Sequence, residues 1–113
     1  MMNNKTIISQ NPYTEEIIAK YQSYERYKTI QLINSAQEAF INWKNLKIKN
    51  KIQTIEKIKN NLISRKMDCA QKITQEMGKP ISESISEIEK CIWLCEYYID
   101  NGEQFLEKEK IDT

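Results

Sequence analysis

The residues of this chain with a capacity for chemistry are three cysteines, a set of glutamates and a few aromatics. Cys69, Cys91 and Cys95 offer thiols, Glu83, Glu87, Glu89 and Glu96 offer carboxylates, and Trp43, Trp93, Tyr97 and Tyr98 offer stacking faces. Cys91 and Cys95 stand four positions apart, a spacing that puts two side chains on one helical face a turn apart. A soft-metal site there needs two further ligands, and only Cys69 and the methionines are available to supply them. A nucleophilic thiolate needs a nearby cation or a helix N-terminus to favour its charged form, and neither is readable around Cys91 or Cys95. The plainer reading is three reduced thiols packing as small hydrophobes. An odd cysteine count with no secretion signal argues against a disulfide framework.

The glutamates contain i, i+4 and i, i+7 spacings that suit a carboxylate cluster. The chain has no histidine, however, and it lacks the Gly/Asp/Asn turn of a calcium loop, so a hydrated acidic face is the better reading. The four aromatics carry the spacing of core packing. Absences narrow the field further. Without histidine, Ser-His-Asp and Cys-His catalysis and His-based zinc sites are excluded within one chain. With only Gly78 and Gly102, neither a G-x-G-x-x-G turn nor a P-loop can be written, because those loops need glycine where backbone approaches phosphate. No catalytic, cofactor-binding or metal-ligating residue is therefore assigned.

At 113 residues and 13.4 kDa the chain is one domain or part of one. Lys5–Gln22 is short-patterned and β-branched around the turn signal Asn11-Pro12-Tyr13-Thr14, which predicts a β-hairpin over about 5–20. Ile30, Ile33, Ala36, Phe40 and Trp43 recur at helical spacing and predict a helix over about 25–44, with Ser23 as a candidate N-cap. Ile48, Ile52, Ile55, Ile58 and Leu62 predict a second helix over 48–66. Asp68 is a candidate cap for a third, over 68–77, with inner face Ala70, Ile73 and Met77. That helix ends where Gly78 can turn left-handed and Pro80 blocks continuation. Ile81, Ile85, Ile88, Ile92, Cys95 and Ile99 form a heptad-spaced seam and predict a long fourth helix over 81–107. The fold class is mainly α, a short N-terminal hairpin followed by four helices.

Net charge is +1, so the whole-molecule field favours no nucleic acid, anionic membrane or acidic substrate. Charge is nevertheless segregated. Lys44–Lys66 holds eight basic residues against one acid, a net +7, and Ser82–Thr113 holds nine acids against three lysines, a net −6. Solvated faces and inter-helix complementarity are the expected uses; a phosphate-tracking helix would interleave arginines, aromatics or glycines. No run approaches the ~20 apolar residues of a membrane span, and the polar start lacks the apolar core of a signal peptide, so a cytoplasmic location is expected.

Several blocks carry a resemblance. Asn11-Pro12-Tyr13-Thr14 before a short hydrophobic strand resembles the N-P-x-T-G-E-x-I opening of aldehyde dehydrogenases. Ala39-Phe40 followed by Trp43 resembles the A-F-x-x-W end of their first helix. Glu76-Met77-Gly78-Lys79-Pro80 is similar to their E-x-G-K-P turn, and Glu87 to Trp93 through Tyr97-Tyr98 to the helix after it. Order and separations agree over nearly the whole chain, and the Cys91–Tyr98 stretch is similar to bacterial succinate-semialdehyde dehydrogenase-like members. Two positions depart: Glu15 stands where the family usually has a turn glycine, and Lys51 where many members have arginine.

The resemblance implies an N-terminal fragment of the α/β aldehyde dehydrogenase-like fold. In that family a cysteine attacks the aldehyde, hydride passes to NAD or NADP, and a glutamate-activated water releases the acid. None of Cys69, Cys91 or Cys95 matches the catalytic block. The catalytic cysteine, the general-base glutamate and the cofactor loop are therefore expected beyond Thr113, and the chain is expected to be inactive alone. Its expected partner is the remainder of the dehydrogenase, whose dinucleotide-binding domain its helices would pack against, or a homologous subunit.

Overall fold

The computed structural model describes residues 5–113. Two strands, β1 (Thr6–Gln10) and β2 (Ile17–Gln22), are followed by α1 (Arg26–Lys44), α2 (Ile48–Ser64), α3 (Lys66–Met77) and α4 (Ile81–Phe105). The strands pair antiparallel, with Thr6 opposite Gln22 and Ile8 opposite Lys20, and the register shifts between Ser9 and Gln10 so that Gln10 meets Ile17. The turn is built on Asn11, whose Oδ1 accepts the backbone N–H groups of Tyr13 at 2.9 Å and Thr14 at 3.1 Å. Such side-chain capture of nearby backbone is why Asn favours turns.

Glu15, where a glycine would be at ease, is held at φ +61°, a left-handed conformation that costs an L-residue about 1–2 kcal/mol. Part of that strain returns as chain entropy when glycine replaces it. Glu15→Gly is thus expected to raise stability by up to about 1 kcal/mol, seen as a higher urea midpoint with an unchanged slope.

Helix boundaries differ from the sequence expectation where caps were inferred. Ser23 does not cap α1. It belongs to the end of the hairpin, where its Oγ accepts the Lys5 N–H at 2.9 Å and its own N–H donates to the Lys5 carbonyl; the residue before the first turn of α1 is Glu25. Asp68 does not cap α3 either. The break between α2 and α3 falls at Arg65 (φ −108°, ψ 18°), which ends α2 two residues early and places Lys66 at the start of α3 with Asp68 already in its first turn. A carboxylate there still opposes the positive end of the helix dipole. The hairpin runs on to Gln22, and α4 stops at Phe105.

The stop after α3 is as the sequence suggests. Gly78 sits at φ +71°, its N–H donating to the Thr74 carbonyl at 2.9 Å, and Pro80 then starts α4.

Packing centres on α4, which lies against α2 and α3. The interior is small: among the described residues only Ala70, Ser84 and Ile88 are buried. Ile85, Ile92, Cys95 and Ile99 of the predicted seam are half-buried. The buried Ser84 hydroxyl shares a 2.8 Å hydrogen bond with Thr74 Oγ1, which satisfies two polar groups at the α3–α4 contact. By contrast every residue of α1 is exposed.

The result is an open body. Its radius of gyration is 19.6 Å, against about 13 Å for a compact chain of this length. Its accessible surface is 9971 Å², against roughly 6,500 Å² for a folded monomer of this mass.

Candidate functional site

The turn that ends α3 is also where the hairpin docks. Ser9 Oγ donates to Glu76 Oε1 at 2.8 Å, and Pro12 lies so close to Gly78 that a β-carbon there would come within 2.9 Å of the Pro12 ring. The two short blocks Asn11–Thr14 and Glu76–Pro80, 62 positions apart at their nearest residues, therefore meet in space. Glycine is required twice over at Gly78, for its dihedral and for this approach. Lys79 then reaches forward along α4 to pair with Glu87, tying the turn to the helix it introduces.

The remaining candidate groups are scattered. Cys69 is half-buried beside Arg65, Asp68, Lys72, Ile73 and Ile88, whereas Cys91 is exposed and Cys95 half-buried. Among the described residues no three of His, Cys, Asp or Glu come together where they could hold a metal ion. Glu87 and Glu89 are engaged in ion pairs, the second with Lys66 at 3.0 Å.

That Lys66–Glu89 bridge is the one point at which the basic segment 44–66 pairs with the acidic α4 among the described residues. The expected complementarity of the two charged helices is otherwise corrected: among the described residues α2 makes no ion pair with α4, and Ile52 and Ile55 of α2 line an apolar recess with Tyr98 and Phe105 of α4. Lys51 instead donates to the Lys44 carbonyl at 3.2 Å and lies 5.9 Å over the Trp43 ring, and Lys44 lies 5.9 Å over Phe40.

The aromatic expectation also needs correcting. Trp43, Trp93, Tyr97 and Tyr98 are spaced as core residues, yet all four are exposed, Trp93 at 72%. Tyr97 packs edge-on against Tyr98 at 5.4 Å and lies 5.8 Å from Phe105. Trp93, Leu94 and Tyr97 line an apolar recess on the outside of α4. A second recess, between the ends of α1, α2 and α4, is lined by Trp43, Ile52, Ile55, Tyr98, Phe105 and Leu106. An apolar face on a helix is one that expects cover. α4 has it only from α2 and α3, and the part of its apolar surface that Trp93, Tyr97 and Tyr98 add to the heptad seam stays open. The functional feature of this chain is therefore a set of open apolar faces around a well-formed turn. Among the described residues no helix is long and apolar enough to cross a membrane.

Comparison with known proteins gives a consistent pattern. The model of the aldehyde dehydrogenase family matches residues 1–113. A mitochondrial succinate-semialdehyde dehydrogenase of Arabidopsis thaliana is 34% identical over 102 residues, which is 90% of this chain and 19% of that protein. A lactaldehyde dehydrogenase of Methanococcus aeolicus is 36% identical over 91 residues, covering 80% of this chain and 20% of that protein. A probable NADP(+) succinate-semialdehyde dehydrogenase of Synechocystis is 29% identical over 107 residues, 95% of this chain and 24% of that protein. The chain thus spans between about a fifth and a quarter of the relatives it matches.

Proposed function

The chain belongs to the aldehyde dehydrogenase family, and from that premise we propose that it is the N-terminal part of an NAD(P)-dependent enzyme that oxidises an aldehyde, succinate semialdehyde first among candidates, to the carboxylic acid. The observation that carries this reading is the match of nearly the whole chain to a minor share of each relative, together with apolar faces that this chain leaves open. Within such an enzyme these residues hold structure. The Pro12–Gly78 contact and the Ser9–Glu76 hydrogen bond fix the hairpin on the α3–α4 turn, while the outer faces of α4 and α1 receive the dinucleotide-binding domain.

NAD or NADP supplies the hydride acceptor in this family. The residues present do not fit a dinucleotide. One of the two glycines ends a helix with a proline against it, and the other lies inside α4. Among the described residues no backbone loop is therefore shaped to approach a pyrophosphate. No step of the reaction is assigned to this chain, and the 113 residues are expected to be inert alone. Purified chain mixed with succinate semialdehyde and either NAD or NADP should give no reduced nicotinamide absorbance above the protein-free rate. Steady turnover that scales with chain concentration would overturn the assignment.

The same open faces support a second reading, a non-catalytic module that binds a dehydrogenase subunit. Mixing the chain with a succinate-semialdehyde dehydrogenase relative stripped of its own corresponding segment separates the two. Restored activity supports the first reading. A stoichiometric complex with the intact relative supports the second.

A further inference from the structure

We propose that Cys91 and Cys95 form a dithiol site on α4 that captures trivalent arsenicals, with one arsenic atom bridging the two sulfurs. The site rests on α4 alone and is independent of the dehydrogenase reading.

Placement comes first. Both thiols are free, Cys91 exposed and Cys95 half-buried, and each stands ten residues inside an end of α4, at Ile81 and Phe105. A helix keeps the β-carbons of residues four apart at about 5–6 Å. Core packing does not account for the pair, since an exposed Cys91 fills no interior. Trp93 stands two positions from each cysteine, about 200° round the helix. The dithiol is therefore turned away from the Trp93 and Tyr97 face that α4 offers to the dinucleotide-binding domain.

Distance then selects the chemistry. A disulfide draws its β-carbons to about 3.5–4.5 Å, so closing one here would distort a helix that α2 and α3 hold in place. A single atom inserted between the sulfurs lengthens the link by one bond and spans the helical separation. That atom must be thiophilic and content with two protein ligands. Among the described residues no three of His, Cys, Asp or Glu meet where they could hold a metal ion, and Cys69 lies apart on α3 beside Arg65, Asp68 and Lys72. A tetrahedral zinc ion is thus left two ligands short. Trivalent arsenic bearing one carbon substituent is not, because its own carbon fills the third valence. With phenylarsine oxide, two As–S bonds replace the bonds between arsenic and its oxygen, and the two thiol protons leave with that oxygen as one water. Nothing is oxidised or reduced. The exposed Cys91 meets the reagent first and Cys95 closes the ring within the chain, which strengthens retention by about 10²–10⁴-fold over a single thiol.

The test treats the reduced chain with phenylarsine oxide, passes it through gel filtration in excess 2-mercaptoethanol, and reads the intact mass and the remaining free thiols. Wild type should carry one phenylarsenic group and keep one free thiol, and 2,3-dimercaptopropanol should strip the group. Cys91→Ser and Cys95→Ser should each lose the adduct to the monothiol, while Cys69→Ser keeps it. No retained adduct on wild type, an adduct that persists in either of the first two variants, or one lost in Cys69→Ser overturns the proposal. Two cysteines this near in sequence can also chelate from an unfolded chain, so the helical geometry is read separately. A bridge that fits α4 stabilises the folded form, and the melting midpoint of the adduct by circular dichroism should lie above that of the reduced chain. A midpoint that is unchanged or lowered overturns the assignment of the bridge to the helix.

Discussion

Gly78→Ala is expected to lower the stability of the chain by about 2–3 kcal/mol and to loosen the hairpin from the helices. Two costs add at one atom. The φ of +71° charges an L-residue about 1–2 kcal/mol, and the new methyl would sit 2.9 Å from Pro12 Cγ, so the ring or the turn must move. If the hairpin shifts to relieve the contact, the Ser9–Glu76 hydrogen bond at 2.8 Å goes with it, at a further cost of about 0.5–1.5 kcal/mol. For a domain of this size that is a fall in melting temperature on the order of 10 °C, and in a marginal fold the hairpin amides should lose hydrogen-exchange protection first. Pro12→Ala in the Gly78→Ala background separates the terms. It opens space for the methyl but leaves the dihedral strained, so it should restore part of the loss and never all of it.

How far this turn was legible from the sequence shows where sequence reasoning works. The left-handed position at Gly78 and the stop at Pro80 are dictated by the sterics of two adjacent residues, and such local constraints survive any tertiary context. What the sequence did not disclose is that Pro12 closes on Gly78, because nothing in either block specifies the other. The same division runs through the helices. The periodicity of Ile85, Ile88, Ile92 and Ile99 identified the inner face of α4 correctly, yet the most buried side chain on that face is Ser84. A serine four residues before Ile88 was a usable signal, but its partner Thr74 lies on another helix.

The caps misread at Ser23 and Asp68 fail for a related reason. Each residue has the right chemistry for an N-cap, but Ser23 is claimed by the hairpin and α3 begins before Asp68 is reached. The aromatics failed differently. Their spacing marks an apolar face, but among the described residues nothing covers it. Sequence pattern records what a helix expects to touch, and in this chain that expectation exceeds what the described residues supply.

That excess gives the second large effect. Ile88→Ala should destabilise the isolated chain by about 2–4 kcal/mol, since a branched side chain only 7% exposed leaves both lost transfer energy and a void where α4 meets α3. Against a net stability that an interior of three buried residues can support only weakly, this should abolish cooperative unfolding, seen as a broad melt and lost near-ultraviolet dichroism. Trp93→Ala, which removes a larger side chain that is 72% exposed, should change the stability of the chain by less than about 0.5 kcal/mol. The order should reverse when the chain complements a relative lacking its own segment. There Trp93 becomes a buried aromatic anchor whose truncation costs about 2 kcal/mol or more of association, some thirtyfold in affinity, while Ile88→Ala, already on an inner face, adds only its folding penalty. A Trp93→Ala chain that complements as well as wild type would mean that the outer face of α4 is not where the rest of the enzyme sits, and would move the assembly surface to the hairpin or α1.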